Sequence, residues 1–402
     1  GIDGATFTTD VEADISGGAD INTNNGNTSF GLDATSTSLN LRAGADSIIT
    51  ATNGNSLSIA GDLFASLDKT GTAASPTGNV LRLSASGLDS SLTIGGDAIL
   101  TARVFGAGEQ ESGIDAADVT GGTVIVQNGA SSTIDIAGSL GINVDAFGGF
   151  VSGGGAAAGS ATGGTAQIVA NGGSGSGLAV AGPVSISASG TGGSVGSDCQ
   201  ADCGVTGGNG TGGGILIQAS TISGSQLNLG STVDLTAMGE GGAGDVAAGF
   251  ATGGNVQLAS RDAGAISITG DLTADASASG GFGMESSGGG GQGGGATGGF
   301  VAISFSGAAS SIDLQGGSLF QADAFGGDGW ATGGNATGGW VNLQAGSNGT
   351  LTADFLGASA DAFGGNSEIF GTDNGLAGGT ATGGRAWLQA DGGGSAVIAD
   401  LS

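Results

Sequence analysis

The sequence predicts an all-β protein wound as a right-handed parallel β-helix, a β-solenoid with three strands per rung. Three observations predict this fold: a string that recurs at nearly constant intervals, short segments in which apolar and polar residues alternate, and glycine-rich inserts between them. Of the 402 residues, 93 are glycine and only 2 are proline. Collagen is excluded because no Gly-X-Y period occurs, and 38% hydrophobic residues in alternating strings argue against disorder.

The recurring string is Thr-Gly-Gly followed by an alternating strand. It begins at Thr120, Thr162, Thr211, Thr252, Thr297, Thr337 and Thr382, at intervals of 42, 49, 41, 45, 40 and 45 residues. Degenerate copies at Thr35 and Thr77 extend the series to nine repeats of about 43 residues. A single repeat cannot bury its apolar face, so stacking of successive repeats predicts a continuous core.

The repeat that begins at Thr120 shows the internal order. Alternation predicts strands at 123–127, 133–136 and 140–146, followed by a glycine-rich insert. We expect one repeat to form one rung, and right-handed winding is the rule for parallel connections. The inserts allow two interpretations: flexible loops on one side of the rod, or ordered extended layers beside the coil.

The chain is expected to form one continuous solenoid in two styles. Residues 1–119 contain fewer Gly-Gly pairs, whereas residues 120–402 carry the regular Thr-Gly-Gly repeats. Neither end shows a polar capping element, which predicts that copies join end to end as a homopolymer or that the segment belongs to a longer chain. No run reaches the ~18 apolar residues of a membrane span.

The charge balance and the missing residue types exclude several functions. The chain has 35 acidic and 6 basic residues, a formal net charge of −29 and no histidine. Nucleic-acid binding needs a basic patch, which this balance denies. Because most general acid–base and nucleophile chemistry near neutral pH uses groups this chain lacks, we expect no enzyme and no cofactor other than Ca²⁺.

The two cysteines, Cys199 and Cys203, lie in a Gly/Asp-rich segment. A zinc site would need two more soft ligands. We therefore predict a local disulfide, which implies an oxidising compartment, with two reduced structural thiols as the alternative.

Alignment of the repeats predicts a column of aspartates at the end of the third strand. Its members are Asp145, Asp275, Asp323 and Asp361. Carboxylates stacked about 4.8 Å apart would repel one another. Two interpretations relieve the repulsion: Ca²⁺ bound by Asp275, Asp323 and Asp361, or capping of turn N–H groups by Asp.

Aromatic residues form the next column of the alignment, Phe147, Phe325 and Phe363, with Met238 in the equivalent place. The rings would either plug a corner or form an exposed stripe. Trp330, Trp340 and Trp387 recur less regularly and are the candidates for contact with a glycan or another subunit.

Two minor alternatives concern other columns. The threonines of the repeated string would order water as an ice-binding face if they were outward and flat, although β propensity also explains them. A β-helix enzyme that degrades polysaccharide would use paired aspartates, but the five arginines are scattered and none joins such a pair.

The repeated Leu-x-Ile-x-Gly pieces, for example at 57–63 and 92–99, and the Ala-Thr-Gly-Gly strings carry a resemblance. The chain resembles the glycine-rich β-strand-repeat exoproteins of Gram-negative bacteria, and is similar to filamentous-haemagglutinin-type adhesins and large autotransporter passengers. The resemblance implies a secreted β-helix used in adhesion, matrix or filament formation. We therefore expect an extracellular or cell-surface structural fibre or adhesin segment, with a glycan-binding adhesion module as the alternative.

Overall fold

A computed structural model gives the fold of the chain. It describes residues 2–401 apart from 4, 8–10, 16, 18, 24–25, 31–37, 72–75, 110, 112, 153, 174–175, 197–202, 220–223, 286–289, 308 and 368–376. Within the described residues every regular element is a β-strand, and the strand pairings are parallel. The predicted parallel β-solenoid is therefore confirmed.

Three ladders of strands form the main coil. Sheet A is one ladder, and its strands are β1 (Ile2–Asp3), β4 (Asp20–Asn22), β7 (Ser47–Thr52), β11 (Val80–Ser86), β16 (Thr123–Asn128), β21 (Thr165–Ala170), β26 (Gly214–Ala219), β31 (Asn255–Arg261), β36 (Phe300–Ser306), β40 (Trp340–Ala345) and β44 (Arg385–Ala390).

Sheet B contains the other two ladders of the coil. The first has β2 (Thr6–Phe7), β5 (Thr28–Phe30), β8 (Ser56–Ile59), β12 (Ser91–Ile94), β17 (Thr133–Ile136), β22 (Gly177–Val180), β27 (Gln226–Leu229) and β32 (Ala265–Ile268). The second has β3 (Val11–Ile15), β6 (Leu39–Ala43), β9 (Leu63–Ser66), β13 (Ala98–Thr101), β18 (Leu140–Asn143), β23 (Val184–Ser187), β28 (Val233–Thr236) and β33 (Leu272–Asp275). Both ladders continue into β37 (Ser311–Gln321), β41 (Thr350–Ser359) and β45 (Ser395–Leu401).

Each repeat forms one turn of the coil. Thr162 pairs with Thr211, and Thr211 pairs with Thr252, so the repeated string returns to the same place after every turn. Sheet A has one strand in each turn, and the turns are numbered 1 to 11 from β1 to β44. This is two more than the nine repeats that the sequence shows. The additional turns lie at the N-terminal end, where the glycine-rich inserts are absent or short. Eleven strands about 4.8 Å apart give a coil about 50 Å long.

The core consists of apolar columns that run along the coil. Leu57, Leu92 and Ile134 occupy equivalent positions in three successive turns and are fully buried. Alternation along each strand directs every second residue inward, and the parallel register places like side chains over one another. One hydrophobic cluster, from Ala19 to Leu356, therefore fills the whole coil and crosses the boundary at residue 119 without a break.

The glycine-rich inserts form two ordered layers beside the coil, here called the glycine double layer. Sheet C carries the outgoing chain, and its strands are β10 (Lys69–Gly71), β14 (Val104–Gly106), β19 (Ala146–Phe147), β24 (Gly190–Thr191), β29 (Gly239–Glu240), β34 (Ala278–Ser279), β38 (Ala324–Phe325) and β42 (Ala362–Phe363). Sheet D carries the returning chain, and its strands are β15 (Val119–Thr120), β20 (Ala161–Thr162), β25 (Gly210–Thr211), β30 (Ala251–Thr252), β35 (Ala296–Thr297), β39 (Ala336–Thr337) and β43 (Ala381–Thr382). Of the two interpretations of the inserts, the ordered layers are correct for the described residues.

Backbone hydrogen bonds join the two layers in an unbroken series, here called the glycine zigzag. The N–H of Gly159 in the returning layer donates to the carbonyl of Gly149 in the outgoing layer at 2.8 Å. The N–H of Gly193 donates back to Gly159, and Gly208 then donates to Gly193, each at 2.8 Å. The later members alternate in the same way: Gly242, Gly249, Gly281, Gly294, Gly327, Gly334, Gly365 and Gly379.

Glycine is required in the zigzag because the two backbones are in direct contact. A Cβ built on Gly208 would overlap the carbonyl oxygen of Gly159 in the preceding turn of the same layer, and one on Gly192 would overlap the carbonyl oxygen of Gly208 in the opposite layer. No side chain fits at these glycine positions, so the Gly-Gly pairs of the sequence are a packing requirement. Beside them, small residues of the two sheets such as Ala251 and Ala278 pack together.

Replacing Gly208 by alanine should lower the free energy of unfolding by about 1–3 kcal/mol, the usual cost of overpacking. Gly214→Ala is the matched control: Gly214 lies in β26, a Cβ there meets nothing within 4 Å, and its φ is not positive. This control should be neutral or stabilising by up to ~1 kcal/mol. Urea unfolding followed by circular dichroism measures both, and equal effects would contradict direct backbone packing.

Candidate functional site

Aspartates at the corners of the coil bind the backbone of the next turn. Asp62 Oδ1 accepts the N–H of Asp97 at 2.9 Å, and Asp97 Oδ1 accepts the N–H of Ser139 at 2.7 Å. The same contact recurs in the coil in the pairs Asp46–Val80 and Asp271–Gly317, and in the double layer in the pairs Asp115–Ala157, Asp118–Ser160 and Asp328–Asn366. Acidic residues thus connect successive turns, a role that sequence reasoning considered only for the aspartate column.

The register divides the predicted aspartate column into two. Ala324 pairs with Ala362, which places Asp323 and Asp361 in equivalent positions. Asp275 pairs with Gln321 and so lies two residues out of that column. The error arose because the alignment followed the aspartate letters, whereas the strand register follows the glycine and alanine positions after them.

The two columns also differ in what their carboxylates bind. Asp323 is buried, and its Oδ1 accepts the Ser359 hydroxyl at 2.6 Å and the Asp361 N–H at 2.7 Å. Asp145 makes the equivalent pair of contacts with Ser187 and Ser189. These contacts satisfy one oxygen of each carboxylate within the protein, as backbone capping requires.

Calcium bridging fits this arrangement less well than capping. Asp275 Oδ1 accepts the N–H of Ser277 at 2.8 Å, two residues further along the same chain segment. In the part of the chain that the structure describes, no three acidic or cysteine side chains come together as metal ligands. Ca²⁺ on Asp275, Asp323 and Asp361 stays a prediction that the register does not favour.

Two aspartates on the coil have pKa values shifted in opposite directions. The N–H and then the hydroxyl of Ser139 lower the pKa of Asp97, because they stabilise its charged form. Burial raises the pKa of Asp135, because desolvation disfavours its charged form. Asp135 lines an open, mostly apolar depression of about 320 Å³ between β12 and β27.

An ion pair between Asp68 and Arg103 joins the third turn to the fourth. The Arg103 guanidinium lies 2.6 Å from Asp68 and 5.3 Å from the centroid of the Phe105 ring. Burial acts to raise the pKa of Asp68, but hydrogen bonds from Arg103 outweigh it and hold that pKa below its usual value. Because Asp68 also accepts the Arg103 N–H at 2.9 Å, the pair is another cross-turn connection.

The phenylalanine column lies on the outer face of sheet C. Phe105 stacks on Phe147 with ring centroids 5.1 Å apart, and Phe325 stacks on Phe363 at 5.2 Å. Phe325 and Phe363 are 42% and 54% exposed, so the column is an exposed stripe and the interpretation as a corner plug is wrong.

Met238 does not belong to the phenylalanine column. The residue that pairs within it is Glu240, opposite Thr191 of the preceding turn and Ser279 of the next. The stripe is therefore interrupted between turns 5 and 9.

The three tryptophans lie in different surroundings. Trp340 and Trp387 project from the outer face of sheet A and are 58% and 57% exposed. Trp330 is half-buried at the margin of the double layer, where it packs against Gly290. Trp340 and Trp387 thus fit the predicted contact role, whereas Trp330 fills space beside a glycine.

The threonine column is flanked by an uneven surface. Thr252, Thr297 and Thr337 stack in register on sheet D. Three residues further along, the equivalent positions hold Asn255, Phe300 and Trp340. An ice-binding face needs a flat, regular surface, so this arrangement gives that alternative no support.

Cys203 is disulfide-bonded, while Cys199 lies outside the described residues. No helix among the described residues is long and apolar enough to cross a membrane. No protein-family model, curated protein or solved structure matches the chain.

The pKa shifts predict opposite effects of Asp97→Asn and Asp135→Asn. A lowered pKa means that Asp97 contributes stability above its unfolded pKa of about 3.9, and this contribution is lost as the pH falls through the folded pKa. A raised pKa means that Asp135 favours folding below about pH 3.9, and this contribution is lost as the pH rises through its folded pKa. At pH 7, Asp97→Asn should lower Tm and Asp135→Asn should raise it.

Both differences in Tm from the parent should shrink as the pH is lowered through about 4, where the carboxylates become protonated. Thermal unfolding between pH 7 and pH 3 measures them. Shifts of the same sign at pH 7, or differences independent of pH, would contradict these assignments.

Proposed function

We propose that the chain is a structural rod, a segment of an extracellular fibre or adhesin. The observation that carries the proposal is the unbroken register of sheet A through eleven turns. A solenoid of this kind is a quasi-one-dimensional body whose length is set by the number of turns. It suits a protein that holds a surface at a distance or builds a filament.

The double layer supports the same proposal because it stiffens the coil. Each regular turn contributes strands to sheets A and B and further strands to sheets C and D, so more than the core holds neighbouring turns together. The glycine zigzag adds hydrogen bonds between the layers in turns 5 to 10. Bending the rod would distort both the coil and the double layer.

The charge and the disulfide support an extracellular location. Disulfides persist in oxidising compartments, and Cys203 is disulfide-bonded. A net charge of −29 keeps long β-rods soluble, because like charges disfavour lateral aggregation.

Apolar core columns continue into turn 11, where their side chains are less covered than in turn 10. Leu343 is 1% exposed in turn 10, but its register partner Leu388 is only partly buried. Ala353 and its partner Ile398 show the same change, and Val397 is 61% exposed. An edge of this kind pairs with a further turn of the same geometry, in the same chain or in a second copy.

The self-association can be tested with substitutions at that edge. At rising concentration the parent chain should form rods longer than the ~50 Å of one coil. Leu388→Lys with Ile398→Lys should stop growth, because it places buried charge at the junction. Phe363→Lys on the side of the rod is the matched control and should not. Electron microscopy and sedimentation velocity measure rod length, and a parent that stays a single coil would remove the self-association from the proposal.

A further inference from the structure

A groove runs along the junction between sheets D and A in turns 8 to 10, with a volume of about 390 Å³. One wall is the threonine column of Thr252, Thr297 and Thr337. The other wall consists of Phe300 and Trp340. The floor is the backbone of the Gly-Gly pairs between the walls, 253–254, 298–299 and 338–339. We call this feature the Thr–Trp groove.

The backbone N–H groups of Gly298 and Gly299 in the floor of the groove are already hydrogen-bonded within the protein. Gly298 N–H donates to the Thr337 carbonyl at 2.9 Å, and Gly299 N–H donates to the Ala276 carbonyl at 2.8 Å. A peptide that adds a strand needs unpaired backbone groups, and these donors are already used by the ladder. Recognition in the groove therefore falls on its two walls.

The walls have complementary chemistry. Trp340 presents a flat, largely exposed ring, and the Arg385 guanidinium lies 5.8 Å from the ring centroid at the next turn. The side chains of Thr252, Thr297 and Thr337 line the other wall and are half-buried or exposed. An aromatic face opposite a row of hydroxyls fits a ligand with one apolar face and a polar rim.

Charge restricts the class of ligand further. No ionisable side chain lines the groove itself, and one cation, Arg385, lies against the Trp340 ring. The whole chain carries a net charge of −29, which outweighs this single positive charge. Anionic polymers would be repelled over the full length of the rod, and nothing in the lining pairs with a cation. A neutral ligand meets neither penalty.

The shape of the groove indicates a linear ligand. Its threonine wall repeats once per turn, at about 4.8 Å, and the groove is open along the rod axis. We propose that the Thr–Trp groove binds a linear, neutral glycan chain. A pyranose ring stacks its C–H face on Trp340 and Phe300, and the ring hydroxyls bond to the threonine column.

The same positions restrict the site to one part of the rod. The wall column that holds Phe300 and Trp340 holds Thr165, Gly214 and Asn255 in the preceding turns. The floor and the threonine column continue through those turns, but the aromatic wall does not. The site therefore goes beyond the structural role of the rod, and the groove binds whether or not copies join end to end.

Calorimetric titration tests the proposal with two neutral probes, cellohexaose and laminarihexaose, and one anionic probe, hexagalacturonate. At least one neutral probe should bind, and the anionic probe should not. Trp340→Ala should weaken the neutral probe about tenfold or more, equivalent to ~1.4 kcal/mol. Phe363→Ala removes a similarly exposed ring from sheet C, outside the groove, and should leave the affinity for the glycan unchanged.

Two further variants separate recognition from folding. Trp340→Phe retains a stacking ring and should retain most of the affinity. Thr297→Val with Thr337→Val keeps the shape of the wall but removes two hydroxyls, and should weaken binding several-fold while the circular dichroism spectrum is unchanged. Absence of binding by both neutral probes, equal binding by the anionic probe, or unchanged affinity in Trp340→Ala would overturn the proposal.

Discussion

Two backbones can pack directly against each other only where neither carries a side chain, and the architecture of this rod depends on that contact. Gly149, Gly159 and Gly193 hydrogen-bond across the double layer, and a methyl group on any of them would overlap a carbonyl oxygen of the preceding turn. The layers have no side-chain core at these positions. Cohesion there comes from backbone hydrogen bonds, which offset the large conformational entropy that glycine loses on folding. Elsewhere in the layers, small side chains such as Ala251 and Ala278 pack together.

Parallel register imposes a second constraint, because every side chain stacks on its equivalent in the next turn. For leucine this stacking builds a core. For aspartate it would place like charges side by side, and the structure resolves the conflict in two ways. In some columns the carboxylate is not repeated, as Asp145 is followed by Ser189. Where it is repeated, the carboxylate accepts the N–H of the next aspartate, as Asp323 does from Asp361. Many of the 35 acidic residues can therefore be tolerated in one rod.

The sequence predicted the coil because alternation and the Thr-Gly-Gly period report directly on strand geometry and register. The sequence predicted less well which residues share a column, because insertions between strands displace the alignment of the repeats. Asp275 lies outside the column of Asp323, and Met238 lies outside the phenylalanine column. Exposure of Phe363 could not be predicted, because a residue beside Gly-Gly can face either the opposite layer or solvent. The Thr–Trp groove was missed because its walls come from different sheets.

The same separation between scaffold and surface explains how one rod can carry a local site. Core columns, and the zigzag glycines of turns 5 to 10, are fixed by packing, whereas the outward positions of sheet A contact solvent and can differ from turn to turn. Thr165, Asn255 and Trp340 occupy one such column above equivalent glycine pairs. Replacing a threonine or asparagine there by an aromatic residue changes a surface without changing the fold, because the floor beneath it consists of backbone groups that are already paired.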